Sequence, residues 1–232
     1  MAKVTIEPGI GEVGSSGTAV VNPLSTTTYT LTASNGSGEV SQQVTIAISG
    51  VWEMQGVGHG VKNTCWTVTY ASRFRPPDDR LWVGLRDRAS YRSGLWFNVQ
   101  SGMPKGAVIS KATLQLYQYE LREDWESPVG VHRMADGSWL GNDYATEVWT
   151  LGTDIPGFDL VPECTVVVSP GSRWVSWDVT SMVQSWVDGT YPNHGMMLTM
   201  ATQRYQVARF YGSTYLTGAP LRPKLTIEYY VP

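Results

Sequence analysis

The chain has 232 residues, 42% of them hydrophobic and 16% charged, which is enough apolar material for one good core and a small second unit. Its net charge of −3 argues against the basic stripe that a nucleic-acid surface needs, and no apolar run reaches the length of a membrane span. Tyrosine and tryptophan number 12 and 10 against only 4 phenylalanines, and such amphipathic rings suit surfaces that are half apolar and half wet.

Residues 1–50 read as a unit of their own, with no Trp, little charge and much Thr, Ser, Val and Gly. The opening MAKVTIEPG lacks the apolar centre of a secretory leader, so a leader was either removed or never used. KVTIEP, GTAVVNP, TTTYTLTAS and VSQQVTIAIS predict about four short antiparallel strands, with a turn at SNGSGE. Alternation puts Tyr29, Leu31 and Ala33 on one face of the third strand and Val44, Ile46 and Ile48 on one face of the fourth. VTIEPGIGEVGSSGTAVVNPLSTTTYTLTASNGSGEVSQQVTIAI resembles the later part of a bacterial immunoglobulin-like repeat, whose first strands are absent here. Four short strands give one apolar face, and roughly 50 residues are marginal for independent folding. The face carrying Tyr29, Leu31, Val44 and Ile46 is therefore expected to be an assembly face. Either the larger domain or strands from a neighbouring chain would cover it, unless the unit is a simple linker.

Residues 51–232 read as a single all-β domain. Strand-like runs recur at CWTVTY, RLWVGL, SGLWFNV, AVISKATLQLYQYE, CTVVVS, RWVSWDV, GMMLTMAT, QVARFYG and KLTIEYY, punctuated by Gly, Pro, Asn and Asp as in a sandwich or jelly roll. Within RWVSWDVTSMVQSWVDG the period changes from two to 3.6 at Thr180, which predicts a short helix that Gly189 stops. Asp178 or Thr180 can cap it, and Val183 and Trp186 can plug the core. Cys65 and Cys164 lie in strand-like runs. Bridged, they would close a loop of about 100 residues, worth roughly 4 to 5 kcal/mol; burial as free thiols is the alternative.

WVSWDVTSMVQSWVDGTYPNHGMMLT resembles the W-x-WDVT-x-x-V-x-x-W segment of DNRLRE-type domains. RSGLWFNVQSGMPKGAVISKATLQLYQYE, VHRMADGSW with ATEVW, and RFYGSTYLTGAPLRPKLTIEYY are similar to their other motifs, over roughly residues 78 to 231. Asn98, where that family has Asp, and FYGSTY, where it has F-x-S-x-E, depart from the pattern. The resemblance implies a jelly-roll β-sandwich common on secreted microbial and phage-encoded proteins, some of them grouped as carbohydrate-binding modules.

Strand alternation sorts the faces. Leu81, Val83, Leu85, Leu95, Phe97, Val99, Leu114, Leu116, Leu225 and Ile227 take the core side. The opposite face holds Trp82, Trp96, Gln115, Tyr117, Tyr119, Trp174, Glu228 and Tyr230, and with Arg209 it could stack on and hydrogen-bond a polysaccharide. The same face could equally be a dry packing surface. His59, His132 and His194 are isolated and lack metal-ligand spacing, and no G-x-S-x-G elbow occurs. Asp78, Asp79, Glu120, Glu123, Asp124 and Glu126 are candidate acids for a glycosidase, although acidic loops are usually just solvated, and no catalytic residue is assigned. No cofactor is expected; DDRLW and ADGSWLGND offer weak oxygen ligands for a structural calcium.

These readings combine into an all-β chain: residues 1–50 as an incomplete immunoglobulin-like unit and 51–232 as a jelly-roll β-sandwich. The expected role is a non-catalytic structural or adhesive subunit of a virion surface or extracellular fibre, whose partners are copies of itself or other structural subunits. A carbohydrate-binding module and a polysaccharide-degrading enzyme are the alternatives.

Overall fold

The structure is a computed structural model that describes residues 3–56, 60–67, 79–86, 89–123, 125–141, 156–201, 205–215 and 217–232. His59, Asp78 and Asp124 lie outside the described residues. The chain divides into two compact units: Met1–Gly50 with Pro104–Val108 and Tyr229–Pro232, and Val51–Met103 with Ile109–Glu228.

The smaller unit is built on an antiparallel four-stranded sheet in the order β2-β1-β3-β4, from β1 (Lys3–Glu7), β2 (Gly11–Val13), β3 (Thr27–Asn35) and β4 (Gly38–Ile46). The β3–β4 hairpin closes where Asn35 pairs with Gly38, and the Ser37 amide donates to Asn35 Oδ1 at 2.8 Å. The register sets Tyr29 against Val44, Leu31 against Ile6, and Ala33 between Val4 and Val40, so one face is apolar as the alternation predicts. The other face is a hydroxyl and amide layer, with Thr28 bonded to Thr45 at 2.8 Å and Gln43 to Thr30 at 3.2 Å. Of the expected assembly face, Tyr29 is buried and Ile46 half-buried, whereas Leu31 is exposed and Val44 is 60% exposed. One predicted strand is misplaced: GTAVVNP is unpaired, with Val20 in solvent, and β2 forms earlier. The reason is local. The Glu7–Gly9 turn, in which the Gly9 amide donates to Glu7 Oε2 at 3.0 Å, folds the chain straight back onto β1.

The larger sheet has eleven strands: β5 (Ile48–Gln55), β6 (Lys62–Thr67), β7 (Arg80–Arg86), β8 (Ala89–Trp96), β9 (Val108–Leu121), β10 (Ser127–Arg133), β11 (Cys164–Val168), β12 (Arg173–Asp178), β13 (Met196–Met200), β14 (Gln206–Tyr211) and β15 (Lys224–Val231). The main path runs β11-β10-β13-β8-β7-β14-β9-β15-β5, with β12 on β9 and β6 on β8. The architecture is all-β and sandwich-like, with a curled multi-strand sheet and one helix among the described residues. The core side is the predicted one: Leu81, Val83, Leu95, Phe97, Val99, Leu114, Leu116, Leu225 and Ile227 are buried. Gln118 continues that face as a fully buried amide, and its Nε2 donates to the carbonyls of Ser169 at 2.8 Å and Gly171 at 2.7 Å. Gly84 in β7 has φ +132°, and a Cβ there would meet the Gln206 carbonyl oxygen at 2.0 Å, so only glycine lets β14 approach.

The change of period at Thr180 marks a real helix, α1 (Thr180–Val187), whose Met182, Val183 and Trp186 are buried. Asp178 Oδ1 accepts the Thr180 amide at 3.0 Å and the Thr180 hydroxyl at 2.6 Å, which satisfies a donor the short helix would leave unpaired. Thr180 Oγ1 accepts the Ala112 amide at 2.9 Å, and Gln184 Oε1 accepts that of Ile109 at 2.7 Å, so the helix is tied to β9. Trp177 is fully buried, with its indole N–H on the Val129 carbonyl at 2.9 Å.

Cys65 and Cys164 are both free thiols, so the bridge considered above is not made. They sit on β6 and β11, four strand steps apart along β6-β8-β13-β10-β11, or roughly 19 Å at ~4.8 Å per step. A disulfide needs Cα atoms within about 7 Å. Burial pushes the Cys65 thiol up to about 11.

Two outcomes are expected. At pH 8 a thiol reagent should label Cys164 in the folded protein and Cys65 only after denaturant is added; equal labelling rates would contradict the packing of β6. The hydrogen bonds from Thr180 hold the Asp178 carboxyl below its ordinary value, so the unfolded chain takes up that proton first. Stability from this group is thus present above about pH 4 and lost as pH falls through the folded value. Asp178→Ala should cost about 1 kcal/mol at pH 7 in urea unfolding, with the deficit shrinking toward pH 3.

Candidate functional site: an aromatic and arginine-layered sheet face

Adjacent strands β12, β9, β14 and β7 bring together Trp174, Tyr117, Tyr119, Arg209, Tyr211, Arg80 and Trp82. Trp174 pairs directly with Tyr117 across β12 and β9, and their rings meet edge to face at 5.5 Å. Between β14 and β9 the register slips: Arg209 faces Glu120, but Phe210 faces Gln118, which leaves Tyr119 as the extra residue of a bulge. The bulge lets both tyrosines of β9 stack on Tyr211, Tyr117 at 5.9 Å and Tyr119 at 4.8 Å. Tyr215, from the turn after β14, stacks parallel on Tyr211 at 3.8 Å.

Two guanidinium groups are layered into these rings. Arg80 lies 4.4 Å from the Tyr215 ring, 4.6 Å from Tyr211 and 5.2 Å from Tyr119, and its charge is matched by Asp79 at 2.8 Å. Arg209 lies 4.3 Å from the Trp82 ring and pairs with Glu120. The Trp82 indole N–H donates to the Tyr119 hydroxyl at 3.3 Å. Burial raises the Tyr119 hydroxyl above its ordinary value. The hydrogen bond between Tyr211 and Tyr215 raises the former, while a bond with Thr217 lowers the latter. Lys224 of β15 completes the border, 5.8 Å from the Trp174 ring.

Of the residues expected to form a binding face, Tyr117, Tyr119, Trp174 and Arg209 gather here. Trp174 is 37% exposed, and Tyr117 and Tyr119 are half-buried. Trp82 belongs to the same layer but is buried beneath Arg209 in a cluster with Cys65, Ala89, Tyr91 and Val207, so it supports the face and does not present itself. Gln115 adjoins the face and donates to Ser176 at 3.2 Å. Trp96 lies elsewhere, against Met134, Trp139 and Met197, with its N–H on the Asn193 carbonyl at 3.1 Å. Glu228 is exposed, its main-chain carbonyl bound by Ser110 at 3.0 Å. Tyr230, 43% exposed, belongs to the smaller unit.

The described acids have structural partners: Asp79 with Arg80, Glu120 with Arg209, Glu123 with Arg122 at 4.0 Å, and Glu126 with the Ser169 hydroxyl at 2.8 Å. Among the described residues, no three His, Cys, Asp or Glu side chains converge to hold a metal. Among the described residues, no helix is long and apolar enough to cross a membrane.

The TGF-beta propeptide family profile matches residues 68–212. The chain belongs to the TGF-beta propeptide family. This overturns the DNRLRE-type assignment, and the virion or fibre subunit and the carbohydrate-binding module with it. The physical reason is visible in WVSWDVTSMVQSW: its tryptophans Trp177 and Trp186 fill the core and its aspartate binds the helix start. Those residues fill the core and start the helix, and such a pattern carries no ligand. Membership of the propeptide family places the chain among secreted, extracellular proteins, as expected above, without support for a virion surface. No curated protein matches the chain.

Arg209→Met should lower stability by about 2 kcal/mol in urea unfolding, through loss of the stacked cation over Trp82 and of the pair with Glu120. Arg209→Lys should recover less than half of that, since an ammonium cannot lie flat on the indole. Equal stability of the three proteins would mean that the arginine layer does not hold this face together.

Proposed function

We propose that the chain acts as a prodomain-type carrier that folds around a core of its own and holds a secreted growth factor of the TGF-beta class. The family match over residues 68–212 carries this reading. The aromatic and arginine-layered face is its proposed docking surface. Tyr, Trp and Arg are the side chains that most often anchor protein interfaces. Here they are already stacked on one another, so little side-chain freedom is left to lose on binding. Trp174, Tyr117 and Tyr215 offer the outer plates, with Arg80 stacked on Tyr215 and Arg209 on Trp82.

The test is biolayer interferometry with a recombinant mature growth factor of the TGF-beta class over the immobilised full chain. Saturable binding is expected, weakened about thirtyfold by Trp174→Ala or Tyr215→Ala, each a truncation worth about 2 kcal/mol. Undiminished binding by both variants would move the docking surface elsewhere, and no binding by the unaltered chain would sink the reading.

A further inference from the structure

A second site lies on other strands of the larger unit. Thr165 of β11 pairs with Gly130 of β10, Gly130 pairs with Thr199 of β13, and the Leu198–Ser93 pair sets Thr199 beside Arg92 of β8. This row across adjacent strands floors a cavity of about 320 Å³. Gly130 is what keeps it open to its walls: a Cβ there would stand 3.0 Å from His132 Nε2 and 3.1 Å from the Pro162 side chain.

The walls are apolar and the base is polar. His132 is buried, and its Nδ1 lies 2.7 Å from the Asp159 carbonyl, which can only accept, so Nδ1 carries the proton. Its Nε2 then takes the Thr199 hydroxyl at 2.8 Å. Burial lowers the imidazole below its ordinary value, and Arg92 adds to the effect, so the ring stays neutral. Arg92 is half-buried, with its guanidinium 5.1 Å from the Phe158 ring. The nearby acids are drawn elsewhere: Asp159 and Glu163 face Arg133 at 3.5 and 4.0 Å. Among the described residues Arg92 has no ion pair, and it is the cation of this cavity.

The rim adds a reason for a protein ligand. The Asp159 amide donates to the Arg133 carbonyl and the Glu163 amide to that of Val131, so residues 160–162 bulge out of the ladder. Leu160 and Val161 on this bulge are 89% and 80% exposed, and Leu160 and Pro162 line the cavity. An unpaired, partly desolvated guanidinium beside an exposed apolar lip fits one chemistry: a carboxylate flanked by apolar side chains.

We propose that this cavity binds an extended acidic–apolar peptide segment of a protein partner, with its carboxylate on Arg92 and an adjacent apolar side chain against Leu160 and Phe158. The inference goes beyond the growth-factor reading and does not rest on it, since the two sites share no residue.

The experiment is fluorescence anisotropy of the full chain with a labelled nine-residue peptide of alternating Asp and Leu, and with its Asn-for-Asp counterpart. The Asp peptide should bind saturably and the Asn peptide at least tenfold more weakly. Arg92→Gln should abolish that preference, and Leu160→Ser, a change on an exposed bulge that leaves the fold intact, should weaken the Asp peptide severalfold. Equal binding of the two peptides, an unaffected Arg92→Gln protein, or no binding at 1 mM peptide (about 4 kcal/mol of affinity) overturns the proposal. Self-association lost in Arg92→Gln without peptide binding would put a second copy in the groove and overturn it as well. These outcomes are read without any growth factor, so they are independent of the test above.

Discussion

The aromatic face of the larger unit depends on the register of β9. This strand of fourteen residues pairs with β12, β14 and β15, and it carries bulky side chains on both of its faces. Ala112, Leu114, Leu116 and Gln118 point into the core, while Gln115, Tyr117 and Tyr119 point away from it. A slip of one residue would drive tyrosines into the core and leucines into solvent. Two devices pin it. The buried Gln118 amide holds the turn between β11 and β12, and the bulge at Tyr119 lets β14 pair without disturbing the inner face.

Much of this was legible in the residue pattern. Alternation along ATLQLYQYE and RWVSWDV placed the core correctly, because those strands have one strongly apolar side. The helix was legible because a change of period is a local signal, and Asp178 stands where a helix start needs an acceptor. What failed was tertiary. Trp82 occupies the outward position of an alternating strand, yet Arg209, from a strand more than a hundred residues later, covers it. Tyr211 and Tyr215 escaped notice because the parallel stack depends on a turn, and a turn has no periodicity. The bulge at Tyr119 has no sequence signature at all, since it is set by which neighbour arrives beside β9.

The family assignment shows the same division. The tryptophans and aspartate of the segment around α1 fill the core and bind the helix start, so they specify packing and leave function open. The side chains with chemistry to offer are drawn from β7 to β14, and none of these strands contributes a compact motif. A face assembled from one or two residues per strand is visible only after folding.

The two sites differ in how they present charge. On the aromatic face Arg80 and Arg209 are already matched by Asp79 and Glu120 and stacked on rings, so an approaching protein meets a nearly neutral surface. Association there would run on area and shape, and ionic strength would matter little. At Arg92 the cation has no such match among the described residues, and added salt would compete for it directly. One chain thus carries a surface indifferent to its ionic surroundings and a pocket that responds to them.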